Sequence, residues 1–349
     1  MTLTGIVELI FRWLHIPQAW VQPAVMLIAA VIVLFFVLFV VLYLIYGLRK
    51  IMGWIQARIG PNRVGPEGLA QTIADAVKLL AKEDIMPAMA DKWPFVIAPI
   101  IVFVPAYMAY LVIPFGKGNG WIAQDLSIGV LYLAAVMCIP IIGIITAGWA
   151  SNNKWSLLGA YRAAAQIVSY EVPLVLAMMP PVMLAGTLSL QGIVHAQDST
   201  WLHIIPRWFI ATQVVGFAVY MAAALAESNL IPFDIMEAES ELVAGFNTEY
   251  SGMKFALFFL AEFAGMFTIS AIAVTLFLGG WLPIHPALSF IPPVAWFLGT
   301  GGVLIFVLMW IRATLPRVRV DQLMSFGWKV LIPIALLNIA WTGFVVLLS

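Results

Sequence analysis

AESNLIPFDIMEAESELVAGFNTEYSG, residues 226–252, sets six acids (Glu227, Asp234, Glu237, Glu239, Glu241 and Glu249) in one stretch without a lysine or arginine. On either side lies an apolar run long enough to cross a bilayer, at 206–229 and 253–281. Six like charges held together repel one another, so some must be hydrated, paired with cations elsewhere in the fold, or kept protonated. An acidic run by itself reads as a solvated loop. This one interleaves its acids with Leu230, Ile231, Phe233, Ile235, Met236, Leu242, Val243 and Phe246, a composition suited to burial. The stretch is a candidate for moving protons or for meeting positive charge.

The rest of the 349 residues agree with a membrane setting: 63% are hydrophobic, 10% are charged, and the mean hydropathy is +1.03. A soluble domain carries about 25% charged residues. Apolar runs of about 20 residues, the length that spans roughly 30 Å of hydrocarbon, recur along the chain and leave no room for a soluble domain. The fold expected is an all-α integral membrane protein forming a single membrane domain over 1–349, with about eight transmembrane helices. Seventeen basic and seventeen acidic residues cancel, which gives nucleic-acid binding no support. The single cysteine, Cys138, excludes an internal disulfide and any iron–sulfur or thiolate zinc site made by this chain alone. No Walker loop, dinucleotide glycine pattern or HExxH is present.

Eight spans are predicted, at 24–47, 94–115, 128–149, 160–186, 206–229, 253–281, 293–312 and 329–348. With both termini outside, fourteen Lys and Arg fall inside and only Arg12, Lys117 and Arg207 outside. That asymmetry obeys the positive-inside rule and places the acidic loop on the cytoplasmic or matrix side. Residues 1–20 contain Glu8, Arg12 and two tryptophans and end without a small-residue cleavage pattern. They read as an interfacial helix leading into the first span rather than a cleaved signal peptide.

The first inside loop, 48–93, is ordered in character. GPNRVGP (60–66) strings together turn formers. From Glu67 to Glu83, Leu69, Ile73, Val77 and Leu80 fall on one helical stripe, with Gln71, Asp75, Lys78 and Lys82 off it. This predicts an amphipathic helix at the membrane surface or under another subunit. Asp75 and Lys78, three apart, read on their own as a solvated surface pair.

Spans four, five and six each carry an acid inside an apolar run: Glu171, Glu227 and Glu262. Buried carboxylates cost several kcal/mol if charged toward lipid, and they normally face a bundle interior or a hydrated path. Pro173 and Pro232 predict an opened backbone near two of them. A short helix over 237–246 puts Glu237 and Glu241 on one face and turns Glu239 away. The last inside loop, IRATLPRVRVDQLMSFGWK, brings Arg312, Arg317 and Arg319 to the same membrane face, where pairing with the acids neutralises both. From the residues alone, the chain reads as a helical membrane protein with a buried acidic route for protons.

Four stretches together, GWIQARIGPNRVGPEGLAQTIADAVKLLAKE, RAAAQIVSYEVP, PFDIMEAESELVAGFNTEYSGMKFALFFLAE and WIRATLPRVRVDQLMSFGWK, resemble one family. It is the membrane subunit at the heel of respiratory complex I, the H subunit of NADH:quinone oxidoreductase, equivalent to mitochondrial subunit 1. The similarity runs from about residue 45 to the C-terminus. It implies a proton-translocating NADH:quinone oxidoreductase in which this subunit, inactive alone and without a redox centre, forms most of the quinone-access tunnel and starts the carboxylate route for protons. Quinone is then a substrate, with FMN and iron–sulfur clusters held by partner subunits. The other membrane and peripheral-arm subunits, quinone and the bilayer are the implied partners. The implied location is the inner (plasma) membrane of a bacterium, ahead of an organellar inner membrane. Carried over by position, Arg49, Asp75, Lys78, Arg312 and Arg317 match the family's tunnel-lining charges. Glu227, Asp234, Glu237, Glu239 and Glu241 match its acidic loop and channel entrance, and Glu171 and Glu262 match acids of the lateral route.

The chain departs from the family pattern at several points. Leu48 stands where the pattern has Glu, Leu230 where it has Arg, Ile235-Met236 where it has Leu-Pro, and Thr300 where it has Lys. These changes imply a diverged member with altered quinone choice or coupling, and Leu230→Arg is expected to change quinone affinity or turnover. The alternatives are the membrane anchor of a proton-pumping hydrogenase, a stand-alone ion transporter and a structural scaffold. A transporter predicts inverted repeats, and none is evident.

Overall fold

The computed structural model describes residues 21–118, 122–198, 200–201, 205–206, 208–236, 243–285 and 288–348, without the side chains of 22, 200, 201, 205 and 206. The interfacial helix expected in 1–20 and the acids Glu237, Glu239 and Glu241 lie outside the described residues.

The helices in chain order are α1 (Val21–Ile55), α2 (Gln71–Ala81), α3 (Lys92–Ala109), α4 (Gly129–Ala150), α5 (Lys154–Ala185) and α6 (Leu190–Ala196). They continue with α7 (Val214–Glu227), α8 (Gly252–Phe277), α9 (Pro293–Thr314), α10 (Val320–Phe326) and α11 (Ile332–Leu348). A two-residue antiparallel pair, β1 (Thr200–Trp201) with β2 (Ile205–Pro206), precedes α7. Among the described residues, seven helices are long and apolar enough to cross a membrane. Here α10 and α11 count as one run, Val320–Leu348, continuous through a π turn at Gly327–Leu331.

Three expectations need correction. The span expected at 206–229 is helical only over the 14 residues of α7. At 1.5 Å per residue that is about 21 Å, short of the hydrocarbon thickness. Before α7, the range holds Pro206 at the end of β2 and a 3-10 turn at Phe209–Ala211. Second, α1 does not stop at 47. Its 35 residues reach about 52 Å and carry Arg49 and Lys50 beyond the apolar run on a rigid helix. The turn that ends it closes when Arg58 N donates to Gly53 O at 2.9 Å. Third, Pro173 does not open α5, which runs unbroken through Pro173, Pro180 and Pro181.

Helix α8 is the hub. Of its most apolar window, 72% is buried, and α1, α3, α7 and α9 all pack against it. Its hydroxyl side chains Thr268, Ser270 and Thr275 are satisfied by carbonyls four residues back, which lets an apolar bundle bury them. Tyr110, just past the end of α3, and Tyr220 on α7 donate to α8 carbonyls of Ala264 (3.0 Å) and Ile269 (2.9 Å), fixing depth and rotation. Lipid tails are as apolar as leucine, so association of the helices depends on close contact. Gly143 allows Val102 of α3 onto α4, and Gly148 allows Ala160 of α5; a Cβ there would lie 2.5 and 2.3 Å from its nearest neighbour.

Helix α2 is shorter than the predicted 67–83 and faces the other way from a soluble amphipathic helix. Thr72 is buried and Asp75 points toward α1, while Leu69, Ile73, Val77 and Leu80 are exposed. The apolar stripe thus faces away from the bundle.

Candidate functional site

The end of α7 positions the first site residue. Ser228 closes the helix, its hydroxyl donating to Ala224 O at 2.9 Å, and Asn229 turns the chain at φ 53. Asparagine adopts this left-handed backbone more readily than most residues. The segment that follows is irregular yet braced. The amide nitrogen of Gln166 on α5 donates to Ala226 O (2.8 Å), Phe233 O (2.8 Å) and Asn229 Oδ1 (3.2 Å). Tyr170, one turn further along α5, packs its ring on Phe233 at 5.7 Å. From the last loop, Arg317 Nε donates to Asp234 O at 2.7 Å and Val318 N to Pro232 O at 3.0 Å. The two loops therefore meet, and the bond from Arg317 Nε goes to a backbone carbonyl of the acidic segment.

This scaffold walls a cavity of about 120 Å³, bounded by α3, α4, α5, α7, α8 and α9 and by Ser228, Asn229, Asp234, Met236, Phe246 and Asn247. Glu227, Asp234, Glu262 and Arg312 all line it. Its volume admits several waters at about 30 Å³ each. Glu227 Oε2 is buried with no hydrogen-bond partner among the described residues. Arg312 Nη1 lies 3.5 Å from Glu262 Oε1, an ion pair beyond good hydrogen-bonding range, and it too is buried without a hydrogen bond. Three carboxyl groups and one guanidinium share the wall of a small, mostly apolar space, where each charge changes the electrostatic cost of the others. The arrangement suits passing protons between carboxyl groups through water in the cavity.

Glu171 is not in the cavity wall. It accepts a hydrogen bond from the Cys138 thiol of α4 and lies within electrostatic reach of Glu227. Cys138 served in the sequence only to exclude a disulfide, and nothing in its apolar surroundings there signals a carboxylate partner. Gln166 was also missed: a lone glutamine in an apolar helix has no spacing pattern to mark it. Among the described residues, no three His, Cys, Asp or Glu come together as a metal site.

A second cluster joins α1 and α2. Arg49 Nη1 and Asp75 Oδ2 are 2.5 Å apart, and Gln71 donates to Asp75 Oδ1 at 3.2 Å. Partial burial pushes the Asp75 carboxyl up, but the Arg49 hydrogen bond and charge, Gln71 and the Lys78 charge outweigh it and hold the group below its ordinary value. Lys78 is exposed beside this pair. The five basic and acidic residues matched to the tunnel thus divide. Arg49, Asp75 and Lys78 stay together, Arg312 joins the cavity, and Arg317 braces its wall.

The profile of the family described as NADH dehydrogenase matches residues 28–343. The chain belongs to that family. Proteins named as the H subunit of NADH-quinone oxidoreductase resemble it along nearly all of its length. The one from Brevibacillus brevis is 53% identical over 328 residues, 94% of this chain and 95% of the relative. That of Dehalococcoides mccartyi is 50% identical over 337 residues, 97% and 88% of the two chains. That of Bacillus mycoides is 49% identical over 333 residues, 95% and 97%.

Of the three uncharged residues at which the chain is expected to depart from the family pattern, Leu48 and Leu230 lie in apolar surroundings. Leu48 and Leu230 are 8% and 1% exposed in the main core cluster, and the Thr300 hydroxyl is spent on Trp296 O at 2.8 Å. Leu230 does not line the cavity. The outcome expected of Leu230→Arg therefore shifts to stability. A guanidinium at that place costs several kcal/mol unless it is paired, and the amount of assembled protein in solubilised membranes should fall before quinone kinetics change. Normal assembly of the variant would show that the site opens to solvent or to an acid.

Proposed function

We propose that the chain is the membrane subunit of a bacterial NADH-quinone oxidoreductase that guides quinone and begins the proton path. It is a multi-pass protein of the inner membrane with both termini outside, and it works with other membrane and peripheral-arm subunits. FMN and iron–sulfur clusters belong to those partners, and this chain has no redox centre of its own. The observation that carries the reading is the cavity in which Glu227, whose buried Oε2 has no hydrogen-bond partner among the described residues, shares space with Asp234, Glu262 and Arg312.

Two chemical tasks follow from the two clusters. Reduction of a quinone to a quinol takes up two protons at the headgroup oxygens, and the neighbouring electrostatics must tolerate that change. The Arg49–Asp75 pair with Lys78 offers fixed donors and a carboxylate at the end of α1, suited to orienting a polar headgroup. Asp234, Glu262 and Glu227 share the cavity and Glu171 lies within electrostatic reach of Glu227, so the four offer a series of proton-carrying groups. In sequence the acidic stretch goes on to Glu237, Glu239 and Glu241, which belong to the same proposed path, and Arg317 and Arg312 adjust its charge. A change of charge at the headgroup shifts the proton occupancies of that series, the kind of local electrostatic event that biases a switch.

Asp75→Asn tests the first task. It removes the charge on Arg49's partner while keeping size, and the KM for quinone should rise about tenfold, ~1.4 kcal/mol, with NADH oxidation by a water-soluble acceptor unchanged. The pH dependence has a definite sign. The folded value of Asp75 lies below its ordinary 3.8, so the contribution of the pair is complete above that value and is lost only as pH falls through the lowered one. Between about pH 5 and 8 the ratio of variant to wild-type KM should stay flat. An unchanged KM would remove Asp75 from the quinone path.

A further inference from the structure

Gln166 is 1% exposed on α5, and the three acceptors of its amide nitrogen straddle Glu227 in sequence: Ala226 O before it, Asn229 Oδ1 and Phe233 O after. Two amide hydrogens serve three acceptors, so one is shared. Both carbonyls stand where no helical ladder continues. Their other contacts are short turns, from Asn229 N to Ala226 O at 3.3 Å and from Ile235 N to Phe233 O at 3.0 Å. Gln166 thus caps the end of α7 from a neighbouring helix and holds the returning chain at the same point.

The other end of the amide behaves differently. Gln166 Oε1 is buried with no hydrogen-bond partner among the described residues. Turning the amide over would exchange three donated bonds for three oxygen–oxygen oppositions, so its orientation is locked by the donor side. Gln166 does not line the cavity, but the next residue, Ile167, does. A side chain that grips both flanks of a proton-carrying residue without touching the enclosed space has one evident use.

We propose that Gln166 is the positioning residue of Glu227: by fixing the turn from Ala226 to Phe233 it sets where the Glu227 and Asp234 carboxyls meet in the cavity, and exchanges no proton itself. The role rests on the reading of the cavity as a proton route. Among the described residues, the charged and titratable groups around the turn include Tyr170 and Glu171 on α5, Cys138 on α4, Tyr220 on α7, Glu262 on α8, Arg312 on α9 and Arg317 from the last loop, besides Glu227 and Asp234 themselves.

The test uses the whole assembled complex in membrane vesicles, reading proton translocation with quinone as acceptor, and NADH oxidation by a water-soluble acceptor as the control. Gln166→Met keeps the volume and removes every donor. Its translocation should fall about 10- to 100-fold at every pH, the scale of a small misplacement at a reacting group. Gln166→Glu keeps the shape but donates only when protonated, so its rate relative to wild type should climb as pH is lowered. A residue needed merely to fill space would show neither the deficit in the first variant nor the slope in the second. Wild-type rates and pH profile in both variants overturn the role. If neither assembles, Asn229→Gly decides, since glycine keeps the left-handed turn and deletes the carboxamide that supplies the Oδ1 acceptor. A severalfold loss supports the role and an unchanged rate overturns it. Glu227→Gln run in parallel separates the two levels. If Glu227→Gln is impaired and Gln166→Met is not, only the positioning role fails; if Glu227→Gln translocates normally, the proton route fails with it.

Discussion

Glu227→Gln should lower quinone-linked proton translocation about 100-fold, the lower range of what a positioned proton-transfer group contributes. Glutamine copies the shape of the side chain and leaves α7 and its cap intact, so assembly and NADH oxidation by a water-soluble acceptor should stay near wild type. What disappears is the exchangeable proton at a buried oxygen that no described group satisfies. Glu262→Gln is expected to act in the same direction with a smaller effect. It takes from Arg312 the carboxylate at 3.5 Å but leaves Glu227 and Asp234 in the cavity. Proton translocation and acceptor-independent oxidation, measured on the same vesicles, separate the two effects from loss of assembly. Unchanged translocation in Glu227→Gln would mean that protons take a path that avoids the cavity.

The membrane class and the helical runs were legible because a 20-residue apolar segment that recurs along a chain fits little besides a bilayer. The acids were legible for the converse reason, since a carboxylate in an apolar run is costly enough to demand a use. What the residues did not reveal were distances and directions. Arg312 and Arg317 sit five apart in sequence, and both match the quinone tunnel by position. In the fold Arg312 faces Glu262 across the cavity while Arg317 binds the Asp234 carbonyl, a division that depends on where α9 ends. The extent of α1 is hidden because hydropathy marks only where the apolar run stops, at Gly47. The helix itself continues as long as backbone bonds are made, here to Ile55. Pro173 misleads for a related reason. In a long buried helix, neighbouring packing overrides the local penalty of a proline, and no sequence rule weighs the two. Gln166 escapes notice because its importance lies in three backbone and amide acceptors up to 67 residues away.

Gly159→Val should prevent the complex from assembling. A Cβ at Gly159 on α5 would stand 2.7 Å from Gly245 Cα, 2.9 Å from Gly245 C and 2.9 Å from Phe246 N. All three are backbone atoms, which cannot swing aside as the tip of a side chain can. The 3-10 turn they belong to, Gly245–Asn247, is itself held in place: Ser156 Oγ donates to Phe246 O at 3.2 Å, and the Phe246 ring meets Phe258 edge-on at 5.2 Å. Phe246 and Asn247 also wall the cavity, so a displaced turn distorts the space around Glu227. Gly159→Ala is the graded version. Overpacking costs about 1–3 kcal/mol, enough to lower the midpoint of thermal inactivation of the solubilised complex and, where the complex survives, its translocation rate. Gly299→Ala on α9 is the matched control, because nothing lies within 4 Å of a Cβ built there. Glycine to alanine inside an open helix stabilises by roughly 0.5–1 kcal/mol, so the control should equal or exceed wild type. If Gly159→Val assembles as well as Gly299→Ala, the close approach of α5 to residues 245–247 is wrong, and with it this wall of the cavity.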